Sequence, residues 1–98
     1  MKIRKSNVFI KWLNKLKDKI GKHIIASRIS RLEEGNPGDC YPVGDDVIEM
    51  RIHYGPGYRV YFLDTSKEII ILLCGGDKST QQSDITKAKE LAKLYKEQ

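Results

Sequence analysis

Cysteine and histidine are both scarce in this chain: Cys40 and Cys74 stand far apart with no C-x-x-C, and only His23 and His53 accompany them. No spacing among these residues matches a zinc site, and two isolated thiols make no disulfide framework. Cys74 is therefore expected as a reduced core thiol and Cys40 as a loop thiol. Long apolar runs are missing too. Nothing approaches the roughly 20 residues of a membrane-spanning helix, and Lys11 and Lys15 interrupt the stretch after the basic N-terminus that might pass for a signal-peptide core. No membrane association and a cytoplasmic location are expected. With three prolines and no repeat or low-complexity tract, disorder is expected only at the ends.

What is present is the composition of one globular domain spanning residues 1–98, 40% hydrophobic and 32% charged, with enough chain for a single core. The formal net charge of +5 is unevenly placed. Residues 1–35 hold ten lysines and arginines against Asp18, Glu33 and Glu34, while residues 36–98 hold eight against ten carboxylates. A basic N-terminal third fits a nucleic-acid footprint, and it equally fits a solvated lysine-rich face.

The order of elements follows from periodicity. A short strand is expected at residues 2–5, with Ser6 or Asn7 as the N-cap of a first helix. Phe9, Trp12, Leu13, Leu16 and Ile20 recur at helical spacing, and Gly21 is the expected break. A second helix presents Ile25, Ile29 and Leu32 before Gly35-Asn36-Pro37-Gly38, so the two form a helical hairpin. A loop from Gly35 to about Asp46 leads into two hairpin strands and the polar turn Asp64-Thr65-Ser66-Lys67. Residues 69–74 are apolar at every position, as in a central strand covered on both faces. After Gly75-Gly76 a last helix aligns Ile85, Ala88, Ala92 and Tyr95. The predicted class is α+β, in the order β-α-α-β-β-β-α with an antiparallel meander sheet. Its core is expected around Trp12, Leu16, Ile29, Ile71, Leu73 and Ala88.

The hairpin from Val47 to Tyr61 carries the most chemistry. Alternation places Ile48, Met50, Ile52 and Tyr54 on one side of the first strand and Val47, Glu49, Arg51 and His53 on the other. A three-residue turn at Gly55-Pro56-Gly57 would set Tyr54 opposite Tyr58, His53 opposite Arg59 and Arg51 opposite Tyr61. One face then packs, while the other offers two guanidiniums, an imidazole and a phenol, a set suited to a phosphodiester.

Several segments carry a resemblance: Trp12-Leu13-Asn14-Lys15-Leu16-Lys17-Asp18, Arg28-Ile29-Ser30-Arg31-Leu32, Gly35-Asn36-Pro37-Gly38-Asp39, Gly55-Pro56-Gly57-Tyr58-Arg59-Val60-Tyr61 and Leu73-Cys74-Gly75-Gly76-Asp77-Lys78. Together they resemble the RelE/ParE superfamily of toxins, in its HigB-like, phage-derived "addiction module killer protein" branch. The resemblance implies a RelE-like fold and the toxin of a type II toxin-antitoxin pair, held in check by a helix-turn-helix antitoxin. It implies either metal-free cleavage of messenger RNA, often on the ribosome and without any cofactor, or poisoning of DNA gyrase. An inactive remnant that only binds its antitoxin is the third reading. The resemblance also places Arg59 at the arginine of the Gly-Tyr-Arg motif, Lys78 at the basic end of the next strand and Arg51 at an earlier basic strand position. Where RelE itself has a tyrosine in its last helix, this chain has Asp84.

Within that frame Arg59 and Arg51 are the candidates for neutralising phosphorane charge. His53 is the candidate for moving a proton, because imidazole exchanges protons near neutrality, and Tyr61 is its reserve. Lys78 is a second phosphate contact. Tyr54 and Tyr58 are candidates for base stacking, and Lys15, Lys19 and Lys22 are RNA-binding candidates on the basic helices. No metal ligands are nominated. The competing expectation is that Arg51 and Arg59 merely pair with Glu49 or Asp77.

Overall fold

The computed structural model describes residues 1–97. Its elements run β1 (Lys2–Lys5), α1 (Asn7–Lys15), α2 (Lys19–Glu33), β2 (Cys40–Gly44), β3 (Val47–Ile52), β4 (Tyr58–Asp64), β5 (Ile69–Gly76), a 3-10 turn (Lys78–Thr80) and α3 (Gln81–Lys96). The five strands form one sheet in the order β1-β5-β4-β3-β2. β1 lies parallel to β5, and the remaining neighbours are antiparallel. Among the described residues no helix is long and apolar enough to cross a membrane.

The α+β class and the meander of β3, β4 and β5 are as expected, but the sheet has one strand more. Cys40–Gly44 pairs with β3 inside the segment expected as a loop. Pro42 and Gly44 disguise it, since both are poor strand formers, yet an edge strand tolerates a residue without an N–H. Asp45 and Asp46 close the connection to β3 with φ of 56° and 64°, the left-handed pair that matches the twist of a two-residue hairpin.

The helix break also differs. Ser6 caps α1 by accepting from the Phe9 amide at 3.0 Å, and Asp18 caps α2 by accepting from the Gly21 amide at 2.9 Å. The break therefore falls at residues 16–18, and Gly21 lies inside α2. A side-chain oxygen at Asp18 satisfies orphan amides of the first turn, so the capping residue starts a new helix where glycine spacing suggested an end. Ile20 consequently leaves the apolar stripe and is 62% exposed. A Cβ at Gly21 would come within 2.7 Å of the Tyr58 ring and the Asp18 carboxylate, so glycine there permits close packing of α2 on the sheet.

Two cores sandwich the sheet. On one face Phe9, Ile25 and Leu32 pack against Met50, Ile52, Val60, Phe62, Ile70 and Leu72, with Trp12, Leu16 and Ile29 at the margin. On the other, Ala88 and Ala92 of α3 pack against Val47, Tyr61, Leu63, Ile71 and Leu73. β5 is thus covered on both sides, as its unbroken apolar run demands. Its register shifts between Tyr61↔Cys74 and Phe62↔Leu72, a β-bulge that puts Leu73 and Cys74 on the α3 side together. Beyond the bulge, Gly75 meets the Trp12 ring and Gly76 meets the Asp84 carboxylate so closely that an added Cβ would lie 2.3 Å and 1.8 Å from them.

Candidate functional site

Alternation along β3 puts Glu49 and Arg51 on the α3 face, and β4 brings Arg59 and Tyr61 to the same face. The register differs from the expected one by two residues: Arg51 opposes Arg59, Ile52 opposes Tyr58 and Glu49 opposes Tyr61. The Gly57 amide donates to the Tyr54 carbonyl at 3.1 Å, so Tyr54 to Gly57 form the turn and His53 leaves the ladder. A shift of two preserves every side-chain direction, because the strand period is two. The two guanidiniums therefore share a face as predicted, now as direct cross-strand neighbours.

Glu49 sits at the centre of this face and is fully buried. Arg51 Nε donates to its Oε1 at 2.7 Å. The Tyr61 hydroxyl and Gln81 Nε2 both donate to Oε2 at 2.9 Å, and Arg59 Nε lies 3.7 Å from the same oxygen. Burial alone pushes the carboxyl's pKa up, but the donors from Arg51, Gln81 and Tyr61 outweigh it and the net shift is downward. Both oxygens of Glu49 are engaged, Oε1 by Arg51 and Oε2 by Tyr61 and Gln81. Glu49 orients the arginines, and its burial and lowered pKa make it a poor base.

The face is consequently less open than the hairpin pattern suggests, because α3 covers it. Tyr61 is fully buried, and burial together with the Glu49 carboxylate pushes its hydroxyl strongly up. Its proton is committed to Glu49, so the reserve role in proton transfer has no geometric support. Arg59 is 9% exposed. Its Nη1 donates to the Gly57 carbonyl at 2.9 Å, while its Nε is buried without a hydrogen-bond partner. Gly57 and Lys78 form the lip beside it: a Cβ on Gly57 would lie 3.4 Å from Arg59 Nη1 and 3.5 Å from the Lys78 Cβ. Lys78 itself is exposed at the start of the 3-10 turn.

Arg51 is the more open guanidinium, with 37% of its side chain exposed, and its Cζ lies 4.4 Å above the centre of the Tyr41 ring. His53 stands at the end of β3 with its Nε2 against the Asp39 carboxylate and most of its ring in solvent. The Asp39 carbonyl in turn accepts from the Arg51 amide at 2.9 Å, so the residue that holds the imidazole is tied to the strand that carries the arginine. Tyr41 and then His53 hold the Asp39 carboxyl below its ordinary range.

The remaining candidates lie elsewhere. Tyr58 is 6% exposed, donates to Asp18 Oδ2 at 2.8 Å and packs edge-on against Trp12. Burial and Asp18 push its hydroxyl up to about 12. It is a core residue of the helical face, and so is half-buried Tyr54, because both occupy the opposite strand parity from Arg51 and Arg59. Neither offers a ring to a base on the arginine face. Lys15 lines a groove of about 490 Å³ between α1 and α3, with Lys11, Lys87, Gly75 and Gly76. Lys19 and Lys22 belong to α2, on the other side of the sheet from Glu49, and Lys22 Nζ donates to the Asn14 carbonyl at 3.4 Å. Among the described residues no group of three or more His, Cys, Asp or Glu is placed to hold a metal.

Sequence reasoning assigned no role to Glu49 beyond that of a pairing partner, and it passed over Asp39, Tyr41 and Gln81. Glu49 had a signal: an acid two positions before Arg51, on a face that also holds Val47. The other three had none, since each is brought in by an unpredicted strand, a loop or a distant helix.

The family described as "Phage derived protein Gp49-like (DUF891)" matches residues 11–96. This chain belongs to that family. An uncharacterized protein of Haemophilus influenzae is 49% identical over 92 residues, covering 94% of this chain and 93% of the relative. A chain in the crystal structure of the intact E. coli RelBE toxin-antitoxin complex superposes with a TM-score of 0.52 at 17% identity, covering 78% of this chain and 94% of that one. The Gp49-like chain thus shares the α+β fold of that RelE-like chain.

Proposed function

We propose that this Gp49-like protein is the toxin of a type II toxin-antitoxin pair, of the HigB-like branch, and that it cleaves messenger RNA. The observation that carries the reading is the pair Arg51 and Arg59, held side by side across β3 and β4 by the buried carboxylate of Glu49. Two fixed guanidiniums beside Lys78 form a preorganised cationic cleft, and preorganised donors are what a phosphorane needs as its charge develops. In the reaction the 2′-oxygen of RNA attacks the adjacent phosphorus and the bond to the 5′-oxygen breaks. The proton lost from the 2′-hydroxyl must go to a base, and another must reach the leaving oxygen. Arg59 and Arg51 bind the non-bridging oxygens, and His53, oriented by Asp39, moves one of the protons. Glu49 and Tyr61 are committed to each other, so positioning of the message by the ribosome supplies part of the rate.

The partner expected from this reading is an antitoxin with a helix-turn-helix domain. A segment of it covering the arginine face would remove the cationic cleft from RNA. The similarity to a chain of the RelBE toxin-antitoxin complex supports an antitoxin partner.

The test is primer extension on cellular messages after brief expression, beside a gyrase supercoiling assay. New message ends with supercoiling intact are expected. Intact messages with lost supercoiling would replace this reading with a gyrase poison.

A further inference from the structure

We propose that Tyr41 and Arg51 form a stacking platform for one unpaired base of the RNA at the arginine face; this rests on the nuclease reading above. Tyr41 stands on the edge strand β2 directly opposite Glu49, which itself opposes Tyr61. Its side chain therefore shares the face that carries Arg51 and Arg59. The other aromatic rings are spent on packing. Tyr54, Tyr58, Phe9, Phe62 and Trp12 belong to the core under α1 and α2, whereas Tyr61 and Tyr95 pack beneath α3. Tyr41, at 43% exposure, is the one exposed aromatic side chain among the described residues.

Its surroundings suit a base and not another core residue. The Arg51 guanidinium lies over the ring, 4.4 Å from its centre, and is fixed there by Glu49 at its Nε, so the pair is a rigid, positively charged stack that a base can extend at low entropic cost. Bases stack on aromatic rings and on guanidinium planes alike, whatever their sequence, because every base has a π-face. Arg51 is also the cross-strand neighbour of Arg59. A base seated on the platform therefore leaves its own phosphate within the reach of the second guanidinium. Pairing of that base in a duplex would bury the face the platform needs, which selects single strands.

The test is binding of a fluorescein-labelled, 2′-O-methylated single-stranded RNA to the full chain, followed by anisotropy across a salt series; methylation blocks cleavage so that binding is read alone. Tyr41→Leu keeps an apolar cover over the strand edge but loses the ring, and it should weaken binding about tenfold, within the range of one lost stacking contact. Tyr41→Phe should bind as the parent does. Neither should change the slope of affinity against salt, because no phosphate contact is lost, whereas Arg59→Gln should reduce it. Tyr41→Leu binding as tightly as the parent would overturn the platform and leave the nuclease reading standing. A parent chain that binds no RNA even at low salt would overturn the platform, whereas the nuclease reading falls only if primer extension shows intact messages.

Discussion

Arg51 and Arg59 face each other directly across β3 and β4, two permanent cations at a cross-strand distance where like charges repel. Glu49, one pleat along and fully buried, makes the arrangement stable by contacting Arg51 at 2.7 Å and Arg59 at 3.7 Å. The cleft keeps one net positive charge from these three residues, at the cost of a desolvated carboxylate.

Removing that carboxylate should be severe. Glu49→Ala leaves Arg59 buried without a counter-charge and the Tyr61 hydroxyl without its acceptor, and breaking a buried ion pair by deleting one partner costs about 3–5 kcal/mol. Urea denaturation should show a loss of this size. A loss under about 1 kcal/mol would mean that the arginines are solvated and the cluster is not an ionic unit.

Arg59 is the residue on which toxicity should depend. Arg59→Ala should abolish growth inhibition, and Arg59→Lys should restore it only in part, since a single ammonium lacks the two-pronged geometry. The hairpin pattern puts this arginine on the face left open for chemistry, yet it is only 9% exposed beside Glu49, so its removal also touches the fold. Growth assays are therefore to be read beside thermal melts, with Arg59→Lys as the variant that keeps the charge. Full toxicity of Arg59→Ala, with toxicity abolished by charge reversal at Lys15 and Lys19, would move the effector surface to the helices.

His53 should affect rate without affecting stability. Its side chain is 75% exposed, and so open an ion pair with Asp39 adds little stability. His53→Gln should therefore leave the melting temperature nearly unchanged and slow cleavage on the ribosome by about 10²-fold or more, as for loss of a general acid or base. Co-sedimentation with ribosomes should be unaltered. Unchanged cleavage would remove imidazole from the mechanism.

The two glycines that end β5 should differ in their tolerance of alanine. At Gly75 the new Cβ would meet the Trp12 ring at 2.3 Å, and that ring is wedged against Phe9 and Tyr58, so overpacking of about 1–3 kcal/mol is expected. At Gly76 it meets the Asp84 carboxylate at 1.8 Å, an exposed side chain that can rotate away at the cost of its hydrogen bond from Thr80. Gly76→Ala should therefore melt closer to the parent than Gly75→Ala.

Acid should unfold the protein through three carboxylates. The Gly21 amide and Tyr58 hydroxyl hold Asp18 below its ordinary value. Tyr41 and His53 do so for Asp39, and at Glu49 the donors overcome the opposing effect of burial. A folded pKa below the unfolded one gives stability that is complete above the unfolded value, near pH 4, and is lost as pH falls through the folded value. Urea midpoints at pH 7, 4 and 2 should fall mainly between the last two, and Asp18→Asn should reduce that fall.

Side-chain parity was legible in the sequence. Alternation from Val47 to Tyr61 assigned Ile48, Met50 and Ile52 to one face and Glu49, Arg51, Arg59 and Tyr61 to the other, and that assignment survives a two-residue change of register because the strand repeats every two residues. The apolar run of β5 and the helical spacing of Phe9, Trp12, Leu13 and Leu16 were equally local signals. Tertiary structure decided the rest. The pairing of Cys40–Gly44 with β3 overrode its proline and glycine, the Asp18 cap moved the helix break, and α3 laid Gln81 over Glu49 to turn a nominally open polar face into a buried ionic cluster with one guanidinium left half in solvent. Hydrophobic period and parity are properties of neighbouring residues, so the chain itself states them. Burial of a charge and the partner that neutralises it depend on residues 32 positions apart, as Glu49 and Gln81 are, and only packing brings those together.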